Sequence, residues 1–98
     1  MVGQLRIIFK PFGPIRRALG KRIIEVDVVD STTVRQVIDR VVGQSSDNLK
    51  RLVYEGEEIN RNLIVLLNKR DVNTLEMGLD TVVSEGDEVA LLPHVQGG

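Results

Sequence analysis

The sequence predicts an α+β fold, a mixed sheet crossed on one face by a single main helix. Three observations carry that expectation. Two early segments, Leu5 to Phe9 and Ile24 to Val28, alternate at a period of two, and in the second the intervening residues are the acids Glu25 and Asp27. Val34, Val37, Ile38, Val41 and Val42 fall at i, i+3, i+4, i+7 and i+8, a single apolar stripe at helical spacing. Two short apolar runs, Leu63 to Leu67 and Val89 to Leu92, supply strands in the second half. A chain of 98 residues is one domain, long enough to bury more than the roughly 60 % of unfolded surface expected of a 60-residue domain.

In chain order, Leu5, Ile7 and Phe9 form the inward face of a first strand, with Arg6, Ile8 and Lys10 on its other face. Pro11, Gly13, Pro14 and Gly20 bracket the next stretch, which limits Ile15 to Leu19 to a turn or two of helix. The second strand follows, and the short link predicts a hairpin. Thr33 and Gln36 then fit a capping box, in which the hydroxyl accepts the amide of the third helical residue and the glutamine reaches back. Gly43 is expected to stop this helix in the left-handed conformation. Valine is a poor helix former, so the helix must gain its stability by laying its stripe on the sheet. Asp47 to Tyr54 reads as a short second helix with Asp47 as its cap and Leu49, Leu52 and Val53 turned inward. Leu63 to Leu67 has no polar interruption and is expected to be a central strand covered on most sides. Asn68 opens a turn toward Asp71 and Val72, and Ser84-Glu85-Gly86-Asp87 forms another before the last strand. A mixed sheet under one long helix satisfies this order, which is the β-grasp arrangement of ubiquitin.

Composition removes several function classes. There is no cysteine, so disulfides, thiolate metal sites and a cysteine nucleophile are excluded. Thirteen basic and fourteen acidic residues leave a formal charge of −1, and one Tyr, two Phe and no Trp make no platform for stacking bases, so no nucleic-acid partner is expected. No apolar run is long enough to span a bilayer, and a cytoplasmic protein with no membrane partner is expected. No histidine cluster, phosphate loop or nucleophile triad is present, which argues against autonomous catalysis. Arg16, Arg17, Lys21 and Arg22 form a local basic cluster, either solvated surface or a docking point for an acidic partner.

The chain ends in Gly97-Gly98 just past the last apolar run and Pro93. We expect a β-grasp domain over residues 1–93 and a flexible Gly-Gly tail over 94–98. Six residues from Pro93 to Gly98 reach about 20 Å when extended. Glycine, without a Cβ, keeps such a stalk slim enough for a narrow enzyme site.

The segment from Gly86 through Val89-Ala90-Leu91-Leu92-Pro93 to Gly97-Gly98 resembles the terminus of the small archaeal modifier and ubiquitin-related modifier proteins, and is similar to that of the small subunit of molybdopterin synthase. Leu67-Asn68 and Leu79-Asp80-Thr81 resemble the middle of the same family, which covers the second half in motif and the whole chain in order of elements. The chain departs from many relatives in carrying Pro93-His94 where they have two prolines, and in apparent insertions at Phe12 to Pro14 and Asn60 to Leu63. The resemblance implies that a ubiquitin-activating type of enzyme uses ATP and Mg²⁺ to adenylate the Gly98 carboxylate. A sulfur donor then leaves a thiocarboxylate there for a sulfur-accepting enzyme, or a lysine of a target protein becomes joined to it. The protein would thus be a co-substrate rather than an enzyme, with no bound cofactor and no metal of its own. With no thiol in the chain, a carrier of this type holds transferable sulfur only at Gly98, and Gly97 contributes reach.

If Val89 and Leu91 face the core, Ala90 and Leu92 fall on the outer face with Ile8 as a neighbour. Ile8, Leu92 and His94 are therefore the candidate docking residues, each large apolar side chain contributing about 1.5 to 3 kcal/mol before association costs. Lone apolar residues and a lone histidine are also ordinary surface features. A non-covalent β-grasp interaction module with an incidental Gly-Gly is the alternative of a different class.

Overall fold

The computed structural model describes residues 3–94. A five-stranded mixed sheet carries the fold, in the order β2-β1-β7-β5-β6. Strand β1 (Gln4–Pro11) and strand β2 (Ile24–Val29) form the expected antiparallel hairpin, with Ile7 opposite Val26 and Phe9 opposite Ile24. The last strand, β7 (Glu88–Pro93), lies parallel to β1 and antiparallel to β5 (Leu63–Leu67). The edge strand β6 (Arg70–Asp71) meets β5 only at Leu66 and Leu67. A separate two-stranded ribbon joins β3 (Tyr54–Glu55) to β4 (Glu58–Ile59).

The link between β1 and β2 is helix α1 (Gly13–Leu19), with Pro14 in its first turn and Gly20 closing it at φ 72°. The main helix α2 (Val34–Gly43) begins with the capping box: Gln36 N–H donates to Thr33 Oγ1 at 3.2 Å and Thr33 N–H to Gln36 Oε1 at 3.0 Å. All five stripe residues are buried. They meet Ile7, Phe9, Val26, Val28, Val65, Leu67, Val89 and Leu91 from the inner sheet face, and Ile15, Leu49, Val53, Val72 and Val83 close the rim of the same core.

Three expectations are corrected. Gly43 is the last helical residue without a positive φ, and Gln44 caps α2 at φ −97°, its N–H shared between the Val41 and Val42 carbonyls. The chain runs directly on toward α3 (Asp47–Val53), so no left-handed reversal is needed. The cap of α3 is Ser46, and Asp47 is its first helical residue, where a carboxylate favours the positive end of the helix dipole. Tyr54 leaves α3 for the β3 ribbon, and Leu52 is half-buried where Leu49 and Val53 are fully buried. Finally, β5 is an interior strand, paired to β7 on one edge and to the short β6 on the other, but it is not covered on most sides: Ile64 and Leu66 lie half-buried on the outer face, and the middle position of the five is taken by β7. The apolar run at 63–67 arises because both faces of this strand are apolar, not because both are covered by the fold.

The turns are held by side chains as well as backbone. Asn68 and Lys69 sit at φ 51° and 71°, the positive pair a tight two-residue hairpin requires. Asn68 Oδ1 accepts from Glu88 N–H at 2.9 Å and its Nδ2 donates to Asp87 Oδ1 at 3.0 Å, while Asp87 Oδ2 accepts from Ser84 N–H at 2.7 Å. Asp87 and Glu88 thus shape the turn that aims β7 into the sheet. On the helical side, Tyr54 donates its hydroxyl to Asp39 of α2 and ties the β3 ribbon to the helix. Burial first, then this bond and the Asp39 charge, hold the Tyr54 phenol well above its ordinary value of 10.0.

Three measurements check these contacts. Thr33→Ala removes the hydroxyl half of the capping box and is expected to lower stability by about 1 kcal/mol in urea unfolding. Because the folded phenol resists ionisation more than the unfolded one, the stability from Tyr54 is complete below pH 10 and declines as pH rises beyond it. Tyr54 is the only tyrosine, so its absorbance change near 295 nm is expected to lag behind that of the urea-unfolded chain. Tyr54→Phe is expected to flatten the alkaline fall in melting temperature.

Candidate functional site

Strand alternation divides β7 cleanly. Val89 and Leu91 are 0 % exposed beneath α2, which turns Ala90 and Leu92 to the outer sheet face. The register places Ala90 between Lys10 and Leu66, and Leu92 opposite Ile64. Ala90 is only 3 % exposed although it faces outward, because its short side chain lies below its larger neighbours on both flanking strands. Leu92, Ile64 and Leu66 surround it as a half-buried apolar patch on the β5 side of the face.

The β1 and β2 side of the same face is charged. Arg6 and Asp27 approach to 3.5 Å across the β1–β2 pair, and Lys10 meets Glu88 at 2.9 Å across β1 and β7. Exposed pairs such as Arg6–Asp27 contribute little to stability. Lys10 and Glu88 form the border between the charged half and the apolar half.

Of the expected docking residues, Leu92 sits inside the apolar patch. His94 is exposed directly beyond it, and its N–H donates to Asn62 O at 2.6 Å, so the β5–β7 ladder continues one residue past Pro93. Ile8 shares the face but opposes Glu88 and Glu25, four strand positions from Leu92, or about 13 Å. It belongs to the charged half. Ile64 and Leu66 were not singled out from the sequence, although a signal was present: in an uninterrupted Leu63 to Leu67 strand, alternate side chains must face outward once Val65 and Leu67 face the core. Gly97 and Gly98, the expected reactive end, lie outside the described residues.

Around the end of β7 the packing is close. Phe12 N–H donates to Leu91 O at 3.0 Å, which extends the β1–β7 ladder into the start of α1. Gly13 stands at φ +59°, and a Cβ built on it would lie 3.1 Å from Pro93 Cγ, so glycine is needed there both for its conformation and for the approach. Asn60 to Leu63 flank the other side, with Leu63 opposite Pro93. The two segments that read as departures from the family pattern therefore meet at the end of β7. Among the described residues, no group of three or more His, Asp or Glu side chains is placed to hold a metal ion. No helix among them is long and apolar enough to cross a membrane.

This topology and its outward β7 face define a ubiquitin-like β-grasp protein. Residues 10–98 match the ThiS family, and the chain belongs to it. It is 32 % identical over 87 residues to small archaeal modifier protein 3 of Haloferax volcanii, covering 89 % of this chain and 92 % of that protein. A putative sulfur carrier protein of Archaeoglobus fulgidus is 32 % identical over 75 residues, 76 % of this chain and 83 % of that one. The crystal structure of small archaeal modifier protein 1 from Haloferax volcanii superposes with a TM-score of 0.78 at 29 % identity, covering 98 % of this chain and 100 % of that chain.

The two faces of β5 offer a direct check. Val65→Thr places a hydroxyl in the core and is expected to destabilise by about 1 to 3 kcal/mol. Ile64→Thr, one residue along on the outer face, keeps its hydroxyl in water and is expected to cost less than half as much in the same denaturation experiment.

Proposed function

We propose that this protein is a ubiquitin-like sulfur carrier and protein modifier that works through the carboxylate of Gly98. The observation that carries the reading is the family match, which spans residues 10–98 and so reaches the Gly-Gly end. A carboxylate is a poor electrophile, since its charge repels nucleophiles and it lacks a leaving group. In the proposed reaction its oxygen attacks the α-phosphorus of ATP on an activating enzyme. Pyrophosphate leaves and an acyl adenylate remains. A sulfur nucleophile then displaces AMP to give a thiocarboxylate, or the activated acyl group passes to a lysine amine of a target protein with loss of the amine proton. ATP and Mg²⁺ belong to the activating enzyme, whose metal and cationic side chains offset the phosphate charge.

In this reading the body of the protein is a handle. The patch joins Ala90 and Leu92, on the strand that leads to the reactive end, to Ile64 and Leu66 on the neighbouring β5, so a partner that covers it also holds the strand from which the tail starts. The name of the Archaeoglobus relative supports sulfur delivery and those of the Haloferax relatives support protein modification, and both outcomes share the adenylation step.

The test combines ATP–pyrophosphate exchange with intact mass. Deletion of Gly97 and Gly98 is expected to abolish exchange while the melting temperature stays unchanged, and Ile64→Asp is expected to raise the KM for the carrier by at least about tenfold, equivalent to one large side chain lost from an interface. Incubation with enzyme, ATP and sulfide is expected to exchange one terminal oxygen for sulfur. Exchange by the truncated protein would refute the proposal and favour a non-covalent interaction module.

A further inference from the structure

The basic cluster noted in the sequence is placed by the fold at the end of β7. Gly13 of α1 lies against Pro93, and Arg16 and Arg17 follow it at i+3 and i+4, on the helix face that carries that contact and one turn further along. Ile15 of the same helix is turned into the core. Arg16 is held in place, its Nε–H donating to Pro11 O at 3.1 Å and its guanidinium lying 4.9 Å from the centre of the Phe12 ring. Lys21 and Arg22 lead into Ile24, which pairs with Phe9, so they stand at the same end of the sheet. Arg61, on the opposite flank, is two residues before Leu63, the partner of Pro93.

Three further facts make this a surface rather than scattered charge. None of the ion pairs among the described residues engages any of these five cations. Ile23, within the cluster, is 53 % exposed, an apolar side chain set among cations in the manner of an interface. Carboxylates gather at the other end of the sheet, where Asp27 opposes Arg6, Asp30 follows the end of β2, and Glu85 and Asp87 form the turn before β7. Arg6, Lys69 and Arg70 stand at that end too, which makes it mixed in sign, so a formal charge of −1 conceals a molecule whose unpaired cations cluster where β7 ends while cations and carboxylates mingle where it begins.

Resting on the proposed activation of Gly98, we infer that Arg17, Lys21 and Arg22, with Ile23 among them and Arg16 behind, form a docking surface for an acidic rim around the partner enzyme's tail-binding channel. The cluster of cations turns the carrier during approach so that the end of β7 arrives first, and steering of this kind raises association rates by about 10- to 1000-fold at low ionic strength. The apolar outer-face patch supplies contact after arrival. The basic surface sets orientation and partner choice.

The experiment is ATP–pyrophosphate exchange with the adenylating enzyme of the same organism, run between about 0.03 and about 0.3 M salt, where screening grows strongly. The triple variant R17E/K21E/R22E changes only exposed side chains. It is expected to raise the KM for the carrier at least about tenfold at low salt with kcat unchanged, and the two KM values are expected to converge as salt is added. The neutral triple R17A/K21A/R22A is expected to fall between them, and Lys69→Glu at the opposite end of the sheet to match wild type. Equal KM values for wild type and both triples across the salt range would overturn the inference. So would tight binding of transfer RNA that both triples lose while their exchange kinetics stay normal, which assigns the surface to nucleic acid. No exchange by wild type at any salt would instead refute the functional reading, and the docking surface with it.

Discussion

The structure depends on the insertion of β7 between β1 and β5. This strand completes the sheet, places Val89 and Leu91 in the core with the α2 stripe, and carries the chain to His94, the last of the described residues. Its start is pinned by the Asn68, Asp87 and Ser84 hydrogen bonds, and its finish by Phe12 and Asn62 backbone contacts on either side. The segment that precedes the proposed reactive end is thus among the most firmly held in the protein. A partner that grips the neighbouring face gains a rigid reference for whatever follows His94.

Period-two geometry then lets one strand serve two purposes. The side chains that stabilise the fold and those that meet the outside alternate along β7 and β5, so Leu91 and Leu92, or Val65 and Ile64, are chemically similar neighbours with different work. Core packing limits the inner set to buried apolar residues. The outer set is free to carry a patch, and the Lys10–Glu88 pair limits its extent on the β1 side. Placing α1 against Pro93 adds a second property at the same end, a cluster of cations organised by a short helix that is anchored to the core through Ile15, Ala18 and Leu19.

Much of this was legible beforehand. The stripe of α2, its capping box, the β1–β2 alternation and the Ser84 to Asp87 turn follow from local rules that need no distant contact. Gly43 misled because a glycine at a helix end permits a left-handed stop without requiring one, and the chain turns instead through Gln44. Asp47 misled because a carboxylate is favourable both as cap and in the first turn. The run at 63–67 predicts a covered strand because apolarity on two faces has the same signature whether the second face is packed by the fold or lies half-buried at its surface.

The sequence by itself determined the types of the main strands and helices, most of their inward residues and the family pattern that ends in Gly97-Gly98, since these depend on spacing along the chain, while the β3–β4 ribbon carries no periodic signal. Tertiary structure alone decided that β7 is central, that Ile64 and Leu66 rather than Ile8 adjoin Leu92, and that the basic cluster lies beside Pro93. Those relations join residues far apart in sequence through strand register and helix packing, and no local periodicity specifies which strand will be the neighbour of which.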